Sequence, residues 1–181
     1  MSQDRDEWLM MQLGRGRGEH LEALVRRHAS PLLTFIRRMV ADEHASEELF
    51  QEVFLAVWKY RRRYRFPRPF KPWLYQIAIN KCREAFRRAQ PVGEVSMEEE
   101  SLAVDDNPSP AETAIAAETA TLVTAAVTRL PPGQRTVVVL RIWNGLSYAE
   151  IADIVGRSEA TVRSHMHHGL TGLRKYLEPK M

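Results

Sequence analysis

Two groups of side chains in this 181-residue chain are spaced to bind a polyanion, and none forms a nucleophile–base set or a Gly-rich phosphate loop, so no enzyme is expected. The first group runs from Lys59 to Arg88, with eleven Lys or Arg and one acidic residue, Glu84. Near its start Tyr60, Tyr64, Phe66, Phe70 and Trp73 lie among Lys59, Arg61, Arg62, Arg63, Arg65, Arg68 and Lys71. Unpaired nucleic acid asks for that mixture, since rings stack on bases and cations meet phosphates. A base drawn out of a duplex also needs a pocket. Some of the rings must serve the core, and Phe70 and Trp73 are open to either role. The second group lies near the C-terminus, where Ala160, Thr161, Ser164, His168, Thr171 and Lys175 share one helical face, flanked by Arg163 and His167. Small and polar residues there can approach base edges and phosphates. A third pattern, Glu48, Gln51, Glu52 and Leu55, recurs at i, i+3, i+4, i+7. An acidic stripe enclosing a leucine suits a protein contact better than a DNA contact.

The elements that must carry these groups are helical. Ser147 N-caps a short helix, and Glu150 three residues later completes a capping box. Ile151, Ala152, Ile154 and Val155 lie on one side of it, and Gly156 supplies a sharp turn. Ser158 caps a second helix, Glu159 to Leu177, which Pro179 ends. Its predicted buried stripe is Val162, Met166, Leu170, Leu173 and Leu177. This is a helix-turn-helix, the arrangement that presents its second helix to a major groove. Upstream, the spacing predicts helices from Glu19 to Val40, with Ser30-Pro31 kinking or restarting it, and from Ala45 to Arg62. In the latter Leu49, Val53 and Val57 with Phe50, Phe54 and Trp58 form a core stripe. Three prolines in RRRYRFPRPFKP argue against helix there. Pro72 starts another helix, to Ala89, with Leu74, Ile77, Ala78, Cys82 and Ala85 inward and Gln76, Asn80, Arg83 and Arg87 opposite. The second half adds a helix from Ala111, a break at Pro131-Pro132, and a helix from Gln134 to Trp143, whose VVVL run reads as buried helix rather than strand.

The net charge of +3 hides a segregation, because no Lys or Arg occurs between Arg88 and Arg129 while eight acidic residues do. The organisation is therefore a polar lead over 1–18, a helical domain over 19–90, a flexible acidic linker over 91–110 and a helix-turn-helix domain over 111–181. The fold class is all-α, two small helical domains. One cysteine, Cys82, excludes a disulfide framework and a Cys-rich zinc site and reads as a core residue. His165 and His167 point about 160° apart at ~100° per residue, so they do not converge on one ion. No metal or cofactor is expected. The chain has no signal-peptide pattern and no apolar run of the ~18–20 residues a membrane span needs, so a cytoplasmic protein without membrane insertion is expected.

In combination these parts resemble the extracytoplasmic-function (ECF) group of the sigma-70 family, from about Glu19 to Leu177. ASEELFQEVFLAVWK resembles the family's core-polymerase-binding helix. PFKPWLYQIAINKCREAFRR resembles the segment that opens and reads the −10 element, and LPPGQRTVVVLRIWNGLSYAEIADIVGRSEATVRS the −35-reading domain. The resemblance implies a sigma factor that binds core RNA polymerase, through the β′ clamp helices and the β flap, and directs initiation at promoter DNA. It implies that Glu47, Glu48, Gln51, Glu52 and Leu55 meet the clamp helices. It places Lys59, Arg61, Arg62, Arg63, Tyr64, Arg65, Phe66, Trp73, Gln76, Asn80, Arg83 and Arg87 on the −10 region. It places Ser158, Ala160, Thr161, Arg163, Ser164, His167 and His168 on the −35 duplex. The linker would thread toward the RNA-exit path, and an anti-sigma factor would occlude both kinds of face. The chain departs from the family at Ala160, usually Gly, at His165, usually Arg, at Glu84, usually Asp, and in HMHHGL, which replaces an Arg-rich continuation. The C-terminal reader is thus less basic than usual, and its histidines would make DNA affinity pH-sensitive. The competing reading is a stand-alone helix-turn-helix repressor or activator. That protein would bind duplex DNA alone and would need a dimer interface or ligand pocket in its first half, where this chain carries a basic aromatic loop and an acidic stripe.

Overall fold

The computed structural model describes residues 5–89 and 111–178, with side chains over 5–88 and 120–178. All regular elements among these residues are helical: α1 Asp6–Gly14, α2 His20–Val40, α3 Glu43–Tyr60, a 3-10 turn Arg61–Arg63, α4 Phe70–Ala89, α5 Ala111–Thr128, α6 Pro132–Ile142, α7 Tyr148–Val155 and α8 Glu159–Leu177. The fold is all-α, as the sequence predicts. None of the described helices is long and apolar enough to cross a membrane. The acidic linker expected over 91–110 lies outside the described residues.

Local chemistry accounts for the element ends. Asp42 caps α3 by accepting the Ala45 N–H at 2.7 Å. Ala41 closes α2 in the left-handed region at φ 54°. Pro31 does not interrupt α2, which continues through it. Proline costs one helical hydrogen bond there, and burial of Leu24, Leu32, Phe35, Ile36 and Met39 along the helix outweighs that loss. The helix over the Pro72 segment begins two residues earlier, at Phe70, with proline in its first turn where no partner for an N–H is needed.

The first half packs α2, α3 and α4 around Leu49, Val53, Val57, Phe35, Ile36, Leu74, Tyr75, Ala78 and Ile79. Cys82 is fully buried there, as expected, and burial pushes its thiol up to about 12. Two expectations fail. Residues 1–18 are not simply a polar lead, because α1 lies within them and buries Leu9, Met10 and Leu13 against α2 and α4. Trp58 is not core but 38% exposed, with its ring against Gly18 and beneath a guanidinium.

The second half packs α6, α7 and α8 around Val137 to Leu140, Leu146, Ile151, Ile154, Val162 and Met166. Leu170 is 45% exposed rather than buried, and Gly169 takes the inward position because α6 approaches too closely for a side chain. A Cβ on Gly169 would lie 2.6 Å from Val138 Cγ2.

The two halves dock on each other, α7 against α4 and α6 and α5 against α2. Asn144, 6% exposed, is the polar centre of that contact. Its Nδ2 donates to Pro31 O at 3.2 Å and to the Tyr75 hydroxyl at 2.7 Å. Lys71 Nζ donates to Asn144 O at 2.6 Å, and Arg135 Nη1 to Met39 O at 2.8 Å. Arg38 lies 4.5 Å from the centre of the Trp143 ring.

Candidate nucleic-acid interface

The basic aromatic segment is ordered from its base outward. At the base, Tyr64, Phe70 and Trp73 contact one another edge-on or tilted, and His28 meets Phe70 at 5.2 Å. Phe70 is fully buried and Trp73 partly so. The Tyr64 hydroxyl donates to Arg68 O. Burial, and then the charge of Glu7, push the Tyr64 hydroxyl pKa upward, so it stays protonated. Arg68 Nη2 donates to Gln76 Oε1 at 3.1 Å. Tyr64, Trp73 and Gln76 therefore shape the surface more than they lie open on it.

Above that base the chain displays rings and cations together. Phe66 is 43% exposed. Tyr60 has Lys59 and Arg63 within cation–π range, at 5.7 and 5.3 Å. Arg61 stacks 3.9 Å over Trp58 and donates to Trp58 O at 2.6 Å. Arg62 and Arg65 are exposed, and Asn80, Arg83 and Arg87 continue an exposed line along α4. Trp58 belongs to this surface although its spacing reads as core; the signal that could have found it is Arg61 three residues later, within reach of the ring on a helix.

On α3 the acidic stripe divides. Leu55 is 66% exposed, and Glu47, Glu48 and Gln51 are exposed with it. Glu47 lies 3.9 Å from Arg37, and Glu48 3.5 Å from His44. Glu52, expected at the clamp-helix contact, is half-buried and faces α4, 2.8 Å from Lys81 and 3.8 Å from Arg88. The hydrogen bond to Glu52 raises the Lys81 pKa despite partial desolvation. Glu52 thus ties α3 to α4, while Leu55 stays exposed beside Glu48 and Gln51.

In the helix-turn-helix the capping box is complete: Ser147 Oγ accepts the Glu150 N–H at 3.2 Å, and Glu150 Oε2 accepts the Ser147 N–H at 2.8 Å. The backbone and hydroxyl of Ser147 hold the Glu150 carboxyl below its ordinary range, against partial burial. Gly156 adopts φ 66°, the left-handed turn that favours glycine. Ser158 Oγ accepts the Thr161 N–H at 3.2 Å and contacts Thr161 Oγ1 at 2.9 Å. Both hydroxyls are therefore engaged in the cap. Ala160, Arg163, Ser164, His167 and His168 are exposed on α8. Arg163 is held by Glu159 at 3.2 Å and lies 4.4 Å from the Tyr148 ring centre, which also has Arg141 at 4.9 Å. His165 packs on Gly133 instead of joining the open face.

The comparisons with known proteins follow the same division. The family model for sigma-70 region 2 matches residues 24–92, and that for sigma-70 region 4 matches residues 120–173. The RNA polymerase sigma factor CarQ of Myxococcus xanthus is 33% identical over 90% of this chain and 91% of its own length. The RNA polymerase sigma-H factor of Pseudomonas aeruginosa is 29% identical over 99% of this chain and 97% of its own. The solved structure of CnrH in complex with the cytosolic domain of CnrY has a TM-score of 0.76 at 24% identity, covering 97% of this chain and 99% of that one.

Proposed function

The chain belongs to the sigma-70 family, in its extracytoplasmic-function group, as does SigE of Mycolicibacterium smegmatis at 33% identity over 86% of this chain, and acts in promoter recognition; from that premise we propose how its surfaces divide the work. The outer face of α3, with Glu47, Glu48, Gln51 and Leu55, meets the β′ clamp helices of RNA polymerase. Glu52 supports that face through Lys81 rather than touching the partner. Arg62, Arg63, Arg65 and Phe66, with Lys59 and Arg61, take the −10 strand, and Asn80, Arg83 and Arg87 follow its backbone. Tyr64, Trp73 and Gln76 form the floor under that strand. On α8, Arg163, Ser164, His167, His168 and Ala160 read the −35 duplex, with Ser158 and Thr161 setting the helix end that points at it. The 111–181 half also meets the β flap. An anti-sigma factor covers these faces when transcription is off. The work is done in the cytoplasm, where promoter DNA and polymerase are, and the chain itself performs no catalysis.

The observation that carries this reading is Leu55, an open leucine among acidic residues one helical turn from the start of the basic aromatic surface. Exposed apolar area of that kind gains about 25 cal/mol per Å² when a partner covers it. The test is Leu55→Arg with Gln51→Arg in the full chain. Loss of polymerase binding with an unchanged melting temperature is expected. Retained binding would move the polymerase contact elsewhere.

A further inference from the structure

The sequence treats residues before 19 as a lead, yet α1 grips both ends of the basic aromatic segment. At the far end, Glu7 Oε1 accepts the N–H of Phe70 at 3.0 Å, across 63 residues of chain. Phe70 is the first residue of α4, so Glu7 supplies an acceptor to a helix start whose N–H groups have no partner within the helix. At the near end, Gly14 lies against the 3-10 turn: a Cβ there would sit 3.1 Å from the carbonyl oxygen of Arg61. Between these two points the chain makes its exposed excursion through Arg62, Arg63, Arg65 and Phe66.

The grip is itself anchored. Asp6, beside Glu7, accepts Arg27 Nη1 at 3.0 Å and lies 2.7 Å from His28 Nε2. His28 is 8% exposed and touches Phe70, the residue whose N–H Glu7 accepts. Leu9, Met10 and Leu13 fix the rest of α1 in the core. Both ends of the loop thus contact one nine-residue helix.

We infer that Glu7 and Gly14 are positioning residues for −10 capture: they hold residues 61 and 70 at a fixed separation, so that Phe66 and its neighbouring arginines present one preformed surface to the melted strand. This rests on the assignment of that loop to the −10 strand. Neither residue touches DNA. Their contribution is preorganisation, which removes an ordering cost that binding would otherwise meet.

The experiment uses full-length Glu7→Ala, Glu7→Gln, Gly14→Ala and Phe66→Ala, each assembled with core polymerase on a duplex promoter fragment from which the wild-type holoenzyme initiates. Open-complex formation by permanganate reactivity, polymerase affinity and the rate of tryptic cleavage after Arg61, Arg62, Arg63 and Arg65 relative to Arg163 are measured. Glu7→Ala should slow open-complex formation by about tenfold or more, the factor associated with losing one hydrogen bond to a charged acceptor. It should speed cleavage in the loop alone and leave polymerase affinity unchanged. Glu7→Gln keeps the accepting oxygen and should restore both to within about threefold of wild type, since a neutral acceptor is the weaker one. Gly14→Ala should act in the same direction with a smaller effect. A wild-type Glu7→Ala alongside a slowed Phe66→Ala would overturn the inference and leave the −10 assignment standing. Wild-type behaviour in both would remove the −10 assignment and this inference with it. Loss of polymerase affinity and faster cleavage at Arg163 in Glu7→Ala would make Glu7 merely structural and would also overturn it.

Discussion

Replacing Asn144 by alanine should loosen the contact between the two halves without unfolding either. The −10 and −35 elements are 25 base pairs apart by name, about 85 Å of B-form DNA at ~3.4 Å per base pair. A folded body of this length spans only about 40 Å. On the proposed division of the promoter between the two halves, the docked arrangement does not span both elements, so the contact between the halves must open for both to be taken at once. Asn144 Nδ2 makes two hydrogen bonds across the contact, to Pro31 O and Tyr75 Oη, and each is worth about 1 kcal/mol net. Its buried Oδ1 has no partner among the described residues, and removing it recovers part of that loss. Lys71 bonds the backbone oxygen of residue 144 and so remains in place. The balance is about 1–2 kcal/mol of docking free energy, a factor of roughly 5–30 in the closed-to-open ratio. Tyr75→Phe should lose somewhat less, and the double mutant should show coupling of about 0.5 kcal/mol or more. Dyes on cysteines introduced at the exposed Glu22 and Thr171 would report opening by energy transfer, with Cys82 buried and out of reach. An unchanged distance distribution in Asn144→Ala would refute the argument that this side chain holds the halves together.

Gly169→Ala places a methyl group 2.6 Å from Val138 Cγ2, so the α6–α8 seam must spread. Overpacking of that kind should cost about 1–3 kcal/mol in urea unfolding and weaken −35 binding in parallel. Partial burial raises the Asp6 pKa, but His28 and Arg27 outweigh it and hold the folded value below 3.8. A depressed folded pKa contributes stability that is present above the unfolded value and lost as pH falls through the folded one. The fluorescence of Trp8, which sits on α1, should therefore report α1 detaching below about pH 4 in wild type, with no such acid step in Asp6→Asn.

The helix-turn-helix was legible because its signals are local. Ser147 with Glu150, Gly156 and Ser158 each act within four residues, and the structure places all of them as the sequence predicts. The features that were not legible depend on contacts across the fold. Helix α1 is nine residues long and its DEWLMMQLG run has little helical periodicity, so only burial against α2 and α4 identifies it. The seam of α8 follows Val162, Met166, Gly169, Leu173 and Tyr176, whereas apolar spacing alone ranks Leu170 above the glycine. Close approach of α6 reverses that ranking. Glu52 turns inward because Lys81, 29 residues away, neutralises it there. Asn144 looks like an ordinary turn residue until Tyr75 and Pro31 are found beside it. In the basic loop the sequence predicted the right composition but not the layering, which follows from the Phe70, Trp73 and Tyr64 contacts beneath it.

The measurement that bears most directly on the account is co-elution of the purified chain with bacterial core RNA polymerase, followed by run-off transcription on genomic fragments. A stable complex that starts transcripts at discrete sites, with no initiation by core polymerase alone, is the predicted result. Failure to form a complex, together with tight binding of the isolated chain to duplex DNA, would contradict it and favour a self-contained helix-turn-helix regulator.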